Sequence, residues 1–189
     1  MKLRTAGLEI YVGYEAAAAM TAVLLLDRDN RVLACFAAAL LHEAGHILMI
    51  RLCGVRLSGL RLRLFDVLIE ADEPPTFRAD VLITLGGAAM NLICGAALCP
   101  FSLRWGVPHL VLGLFNLLPV MSLDGGHLLS ICLLRRVSVR AADIAVRVTT
   151  VVFILPLMTA GLYMLLSSGY NYSLLLTALY LAALLLLKH

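Results

Sequence analysis

Long apolar runs constrain this chain more than any other feature: residues 10–26, 32–50, 81–99, 107–134, 148–166 and 173–187 are almost continuously nonpolar. A helix needs about 20 such residues to cross hydrocarbon. Backbone in lipid must satisfy its own hydrogen bonds, so runs of this length are expected as helices rather than open strands. The run at 107–134 holds Pro119 and the pair Gly125 and Gly126, where a break is expected. With 62% hydrophobic and 14% charged residues and a mean hydropathy of +0.96, the 189 residues leave little for a soluble domain. The expected architecture is an all-α polytopic membrane protein of about six transmembrane helices, folded as a single membrane-embedded domain over residues 1–189 without a separate soluble regulatory domain. Residues 1–14 carry Glu9 and lead into the first run without a small-residue cleavage site, so no removed signal peptide is expected.

Charge sets the orientation. With the N-terminus in the cytoplasm, Lys2, Arg4, Arg51, Arg56, Arg61, Arg63, Arg78, Arg135, Arg136, Arg140, Arg147 and Lys188 fall on the cytoplasmic side, and Arg28, Arg31 and Arg104 on the other. Twelve of fifteen basic residues on one side fit the positive-inside tendency with both termini cytoplasmic and an even number of spans in a cell membrane. A net charge of +3 is too slight for a nucleic-acid surface. The five cysteines (Cys35, Cys53, Cys94, Cys99 and Cys132) are scattered and form no C-x-x-C pair, so neither a disulfide framework nor a thiolate metal site is indicated. Residues 55–73 alternate apolar and polar side chains around Leu57, Leu60, Leu62 and Leu64, which predicts a small interfacial β-hairpin after the second span, ending at Pro74 and Pro75. The chain holds no internal repeat of the kind that builds transporters from two halves.

The second run contains His42-Glu43-Ala44-Gly45-His46. Four-residue spacing puts both imidazoles on one helix face, where they can share a tetrahedral zinc, and Glu43 lies beside them to take a proton from water and return it to a leaving amine. Three ionisable residues in an apolar span cost several kcal/mol together unless they pair or bind an ion, so they mark a site. Chance occurrence of a five-residue motif is the bland alternative. Zinc then needs a third protein ligand, and Asp124 in the other broken run is the candidate. At about 1.5 Å per helical residue, His42 lies roughly 14 Å from Arg51 and Asp124 roughly 17 Å from Arg135, so both residues can sit at one depth. A helix-capping carboxylate is the alternative for Asp124.

His42-Glu43-x-x-His46, the element from Gly87 to Asn91, and Phe115-Asn116-Leu117-Leu118-Pro119 followed by Leu123-Asp124-Gly125-Gly126 together resemble the site-2 protease family of intramembrane zinc metalloproteases, peptidase family M50. The wording of the last segment most resembles the sporulation-type branch, whose best-known member processes a membrane-tethered sigma-factor precursor. The resemblance implies one zinc per chain, held by His42, His46 and Asp124 in a core spanning about 32–134, with Glu43 as the catalytic base. It also implies that Asn91 and Asn116 position the substrate, a membrane-associated protein such as a sigma-factor precursor or anti-sigma factor. Further partners expected are the lipid bilayer and regulatory membrane proteins or a second copy of the chain. Two departures stand out: Gly87-Ala88 replaces the family's Gly-Pro, and Met121 and Ser122 precede Leu123-Asp124 where prolines are common.

Other polar residues invite plainer readings. Glu15 is expected to be interfacial, and His109 and His127, outside the metal spacing, to make local polar contacts. An interhelical hydrogen bond competes with the substrate role for Asn91. Phe65 and Asp66 could receive an extended substrate by strand addition. The rival function is a non-proteolytic membrane metal-binding or adaptor protein of the same fold, which would be expected to lack a ligand or the base.

Overall fold

The computed structural model describes residues 2–5, 8–12, 14, 21, 27, 29–62, 67–71 and 76–187. Two compact units divide the chain, Met1–Leu114 and Phe115–His189.

The first unit opens with a four-stranded sheet of β1 (Lys2–Thr5), β2 (Leu8–Val12), β3 (Leu57–Leu62) and β4 (Val67–Ala71), in that spatial order. The β1–β2 and β3–β4 pairs are antiparallel, whereas β2 and β3 run parallel, with Ile10 opposite Leu60. A parallel pair needs a long crossover, and the helix α1 (Arg31–Leu52) lies in that connection. The sheet corrects two expectations. Ile10, Tyr11 and Val12 do not begin a first span but pair with Leu60, Arg61 and Leu62; a five-residue run rich in β-branched and aromatic residues suits a strand as well as a helix. The expected hairpin is not alone, because β3 is paired on both sides, so the chain is not purely helical. Apart from Tyr14 and Thr21, residues 13–26 of the expected first span lie outside the described residues, as do Glu15, Phe65 and Asp66.

Local chemistry sets the ends of α1. Before it, the Asp27 carboxylate accepts from the amides of Arg31 (3.1 Å) and Leu33 (2.8 Å), satisfying donors that a helix start leaves open. After it, Gly54 adopts φ 69°, and the Gly54 and Val55 amides turn back to the carbonyls of Arg51 and Ile50. Helix α2 (Phe77–Leu98) begins where the Thr76 hydroxyl accepts the Ala79 amide at 3.3 Å. Glycines let α1 and α2 touch backbone to backbone: a Cβ on Gly45 would lie 2.9 Å from the Gly86 carbonyl carbon, and one on Gly86 would lie 2.7 Å from the Gly45 oxygen. Helix α3 (Leu103–Asn116) packs on α2 with the same economy, Gly113 facing the Ala88 carbonyl and the Asn91 side chain.

The second unit contains α4 (Asp124–Leu134), α5 (Val139–Ser168) and α6 (Ser173–Leu187). Its core is Val120, Ile154 and Leu181, flanked by Phe115, Leu118, Leu123, Phe153 and Met158. Helix α5 starts nine residues before the expected span because Ser138 caps it through the Ala141 amide and an Asp143–Arg147 ion pair at 2.8 Å steadies its polar first turns. Gly169, at φ 74°, ends it.

Among the described residues, three helices rather than six are long and apolar enough to cross a membrane, namely α1, α2 and α5. Only 28%, 33% and 17% of their most apolar stretches are buried. Leu40, Leu48, Ile93, Val152 and Leu162 all point outward, an apolar surface that lipid solvates and water does not.

Candidate metal centre

His42 and His46 stand one turn apart on α1, buried, with ring centroids 4.7 Å apart and planes at 84°. Their Nε2 atoms are 3.1 Å apart. His46 Nδ1 lies 2.7 Å from the Ile83 carbonyl oxygen of α2. A carbonyl can only accept, so His46 Nδ1 carries the hydrogen and Nε2 keeps its lone pair, the tautomer that binds a cation. His42 Nδ1 is 3.3 Å from the Asn91 side-chain nitrogen, and Asn91 Oδ1 is 3.0 Å from His109 Nδ1 on α3. Asn91 and His109 are both fully buried.

Gly87 closes this arrangement from α2. A Cβ there would stand 2.8 Å from His42 Nε2 and against His46 Nε2, so only a hydrogen fits between the helix backbone and the two rings. The donor set suits zinc. A tetrahedral ion with Zn–N bonds of 2.0–2.1 Å holds two ligand nitrogens about 3.3 Å apart, close to the 3.1 Å between the two Nε2 atoms. Glu43 follows His42 on α1 and is half-buried.

The remaining expected site residues belong to the second unit. Asn116 is the last residue of α3 and half-buried, and Asp124 is the first of α4, where a carboxylate meets the positive end of the helix dipole. Between them the chain turns tightly: the Val120 amide bonds to the Leu118 carbonyl at 2.7 Å, and the Met121 amide bonds to Thr150 Oγ1 at 2.8 Å. Thr150 in turn donates to the Val146 carbonyl of its own helix. Gly125 and Gly126 serve close packing rather than unusual backbone angles, since neither has positive φ and a Cβ on either would strike the backbone of Leu117 or Val120.

Comparison with known proteins follows the same lines. The family model for Peptidase family M50 matches residues 105–156, which include Asp124. Rip3 of Mycobacterium tuberculosis, provisionally named a zinc metalloprotease, is 35% identical in a match covering 61% of this chain and 34% of Rip3, in both the H37Rv and Erdman strains. The chain therefore spans about a third of the length of the curated relatives it matches. The solved site-2 protease from Methanocaldococcus jannaschii superimposes with a TM-score of 0.62 at 20% identity, covering 96% of this chain and 91% of that one. The chain has the site-2 protease fold.

Within that fold, His109, expected to make a local polar contact, makes it across helices, to Asn91 of α2 inside the first unit. A signal was available: His109 is an ionisable residue in an apolar run, the same observation that singled out His42.

Proposed function

We propose that this chain is an intramembrane zinc metalloprotease that hydrolyses a peptide bond in a membrane-associated protein, acting as one membrane-embedded domain. The ligands proposed for the ion are the three that the sequence motifs supply, His42, His46 and Asp124. The observation that carries the reading is the histidine pair itself: two buried imidazoles at ligand spacing, one fixed by the Ile83 carbonyl in the cation-binding tautomer, with a carboxylate next to them on a helix of membrane-crossing length.

Zinc, when bound, supplies Lewis acidity toward the scissile carbonyl and lowers the pKa of water. The chain's own residues do the rest. Glu43 takes a proton from the attacking water and delivers it to the departing amine. Asn116 positions the substrate, whereas Asn91, with both amide ends turned to histidines, acts through His42. An extended substrate segment can add to the sheet at β4, which is an edge strand among the described residues. The Phe115–Asp124 wording favours a regulatory substrate of the sigma-factor precursor or anti-sigma-factor kind, with both termini of the protease cytoplasmic.

The test is Glu43→Gln in detergent or liposomes, with zinc content measured beside cleavage of a membrane-tethered candidate substrate. Zinc retained with cleavage lost is the expected result. Undiminished cleavage by the purified variant rejects Glu43 as the base, and absence of zinc from the unaltered chain rejects the site.

A further inference from the structure

His109 is a buried polar residue that the proposed hydrolysis does not use, yet it is joined through the buried Asn91 to His42 in a chain of hydrogen bonds. Burying such groups is costly unless each is satisfied, and the direction in which the hydrogens run has a consequence at the metal. Read from His109, one arrangement sends His109 Nδ1–H to Asn91 Oδ1 and the Asn91 amide N–H to His42 Nδ1. His42 then carries its single proton on Nε2, the atom 3.1 Å from His46 Nε2, and that nitrogen cannot take a metal. Turning the Asn91 amide over interchanges its oxygen and nitrogen at the same positions. Asn91 Oδ1 then accepts from His42 Nδ1–H, and the Asn91 amide donates to His109 Nδ1. His42 Nε2 is freed for a cation, and His109 carries its proton on Nε2. Each ring keeps one proton, so no charge is buried in either arrangement.

We infer that His109 is a positioning residue for the metal centre: by accepting from Asn91 at Nδ1, it holds the amide in the orientation that makes His42 Nε2 a ligand. The inference rests on His42 and His46 as zinc ligands, and it gives the buried Asn91–His109 pair a role that packing alone does not require. Helix α3 is brought into range by Gly113, whose missing side chain lets it lie against Ala88 and Asn91. Outer partners of metal-bound histidines typically change affinity by about 10–100-fold when removed.

The experiment uses the full chain in detergent, with zinc affinity read by chelator competition and with ¹⁵N-histidine NMR of the zinc-loaded protein. His109→Leu removes the acceptor and is expected to lower zinc affinity by about 10–100-fold. His109→Asn, which returns an oxygen near the place of Nδ1, is expected to recover most of the loss. Asn91→Asp offers only acceptor oxygens to His42 Nδ1–H and is expected to hold zinc at least as tightly as the unaltered chain, which keeps the test decisive if His109→Leu fails to fold. NMR of the unaltered protein should show His42 protonated at Nδ1 and His109 unprotonated there. Zinc bound by the unaltered chain with equal affinity in His109→Leu, or a protonated His109 Nδ1 in the loaded protein, would overturn the role of His109 while leaving the metal site intact. No zinc in the unaltered chain would overturn both.

Discussion

Gly87→Ala tests the metal centre at its tightest point. The added methyl would stand 2.8 Å from His42 Nε2 and closer still to His46 Nε2, where ordinary contact begins at 3.4 Å. Relief therefore requires the His42 ring, whose nearest atom Cε1 would stand at 2.7 Å, to retreat by about 0.7 Å and the His46 ring by more, or α2 to withdraw from α1. Withdrawal is opposed by the Gly45–Gly86 backbone contact, which would have to open. Retreat of the rings is opposed by the His46–Ile83 bond at 2.7 Å and the His42–Asn91 contact at 3.3 Å. Metal sites tolerate about ±0.2 Å in ligand distance, so a shift three times larger should reduce zinc affinity by about 100-fold or more, the upper end of what even indirect disturbance produces. Overall stability should change far less. Alanine favours helix over glycine by about 1 kcal/mol, against about 1–3 kcal/mol for overpacking, leaving a net loss of at most about 2 kcal/mol. Zinc stoichiometry after dialysis against a graded chelator series, with a thermal melt of the same sample, reads both quantities. A folded Gly87→Ala protein with unchanged zinc affinity would refute the argument that α2 backbone forms a wall of the site.

Three further outcomes follow from features away from the histidines. Thr150→Val deletes the hydroxyl that accepts the Met121 amide and should cost about 1–3 kcal/mol for the stranded donor; chemical unfolding compared with Thr150→Ser, which keeps the hydroxyl, isolates the bond. Gly169→Ala forces a side chain into φ 74° and should cost about 1–2 kcal/mol without changing zinc affinity, measured in the same unfolding and competition assays. Asp27, held below the ordinary aspartate value of 3.8 chiefly by the Leu33 amide, caps α1 in its charged form. A lowered folded-state pKa means that this support is complete above pH 3.8 and disappears as pH falls through the lower folded value. Protection of the Arg31 and Leu33 amides, taken as observed exchange relative to the intrinsic rate at the same pH, should accordingly fall in that acid window, and Asp27→Asn should remove that pH dependence of the protection.

The histidine-bearing face of α1 was legible because a four-residue spacing in an apolar helix determines where two side chains point, and the expected run of 32–50 stops beside Arg51, within two residues of the helix end at Leu52. The start of the chain was not. Leu8–Val12 becomes a strand through pairing with Leu57–Leu62, nearly fifty residues later, and no local pattern reveals a partner at that distance. The early start of α5 was hidden by Arg140, Asp143 and Arg147, which lower the hydropathy of turns that are nonetheless helical. His109 is the instructive case, since its polar contact was expected but not its partner. Its link to His42 runs through Asn91 and depends on three helices meeting, whereas motif spacing describes one helix at a time.

Part of the surroundings of the histidine pair is peptide: the Ile83 carbonyl on one side and the Gly87 main chain on another. A carbonyl survives any exchange of its own side chain, so Ile83 can drift among residues that preserve the helix without disturbing the tautomer of His46. Gly87 has no such latitude, because every side chain begins with the carbon that does not fit. The two residues stand one turn apart on α2 and bracket the same pair of rings, one replaceable in identity and the other fixed by the absence of a side chain.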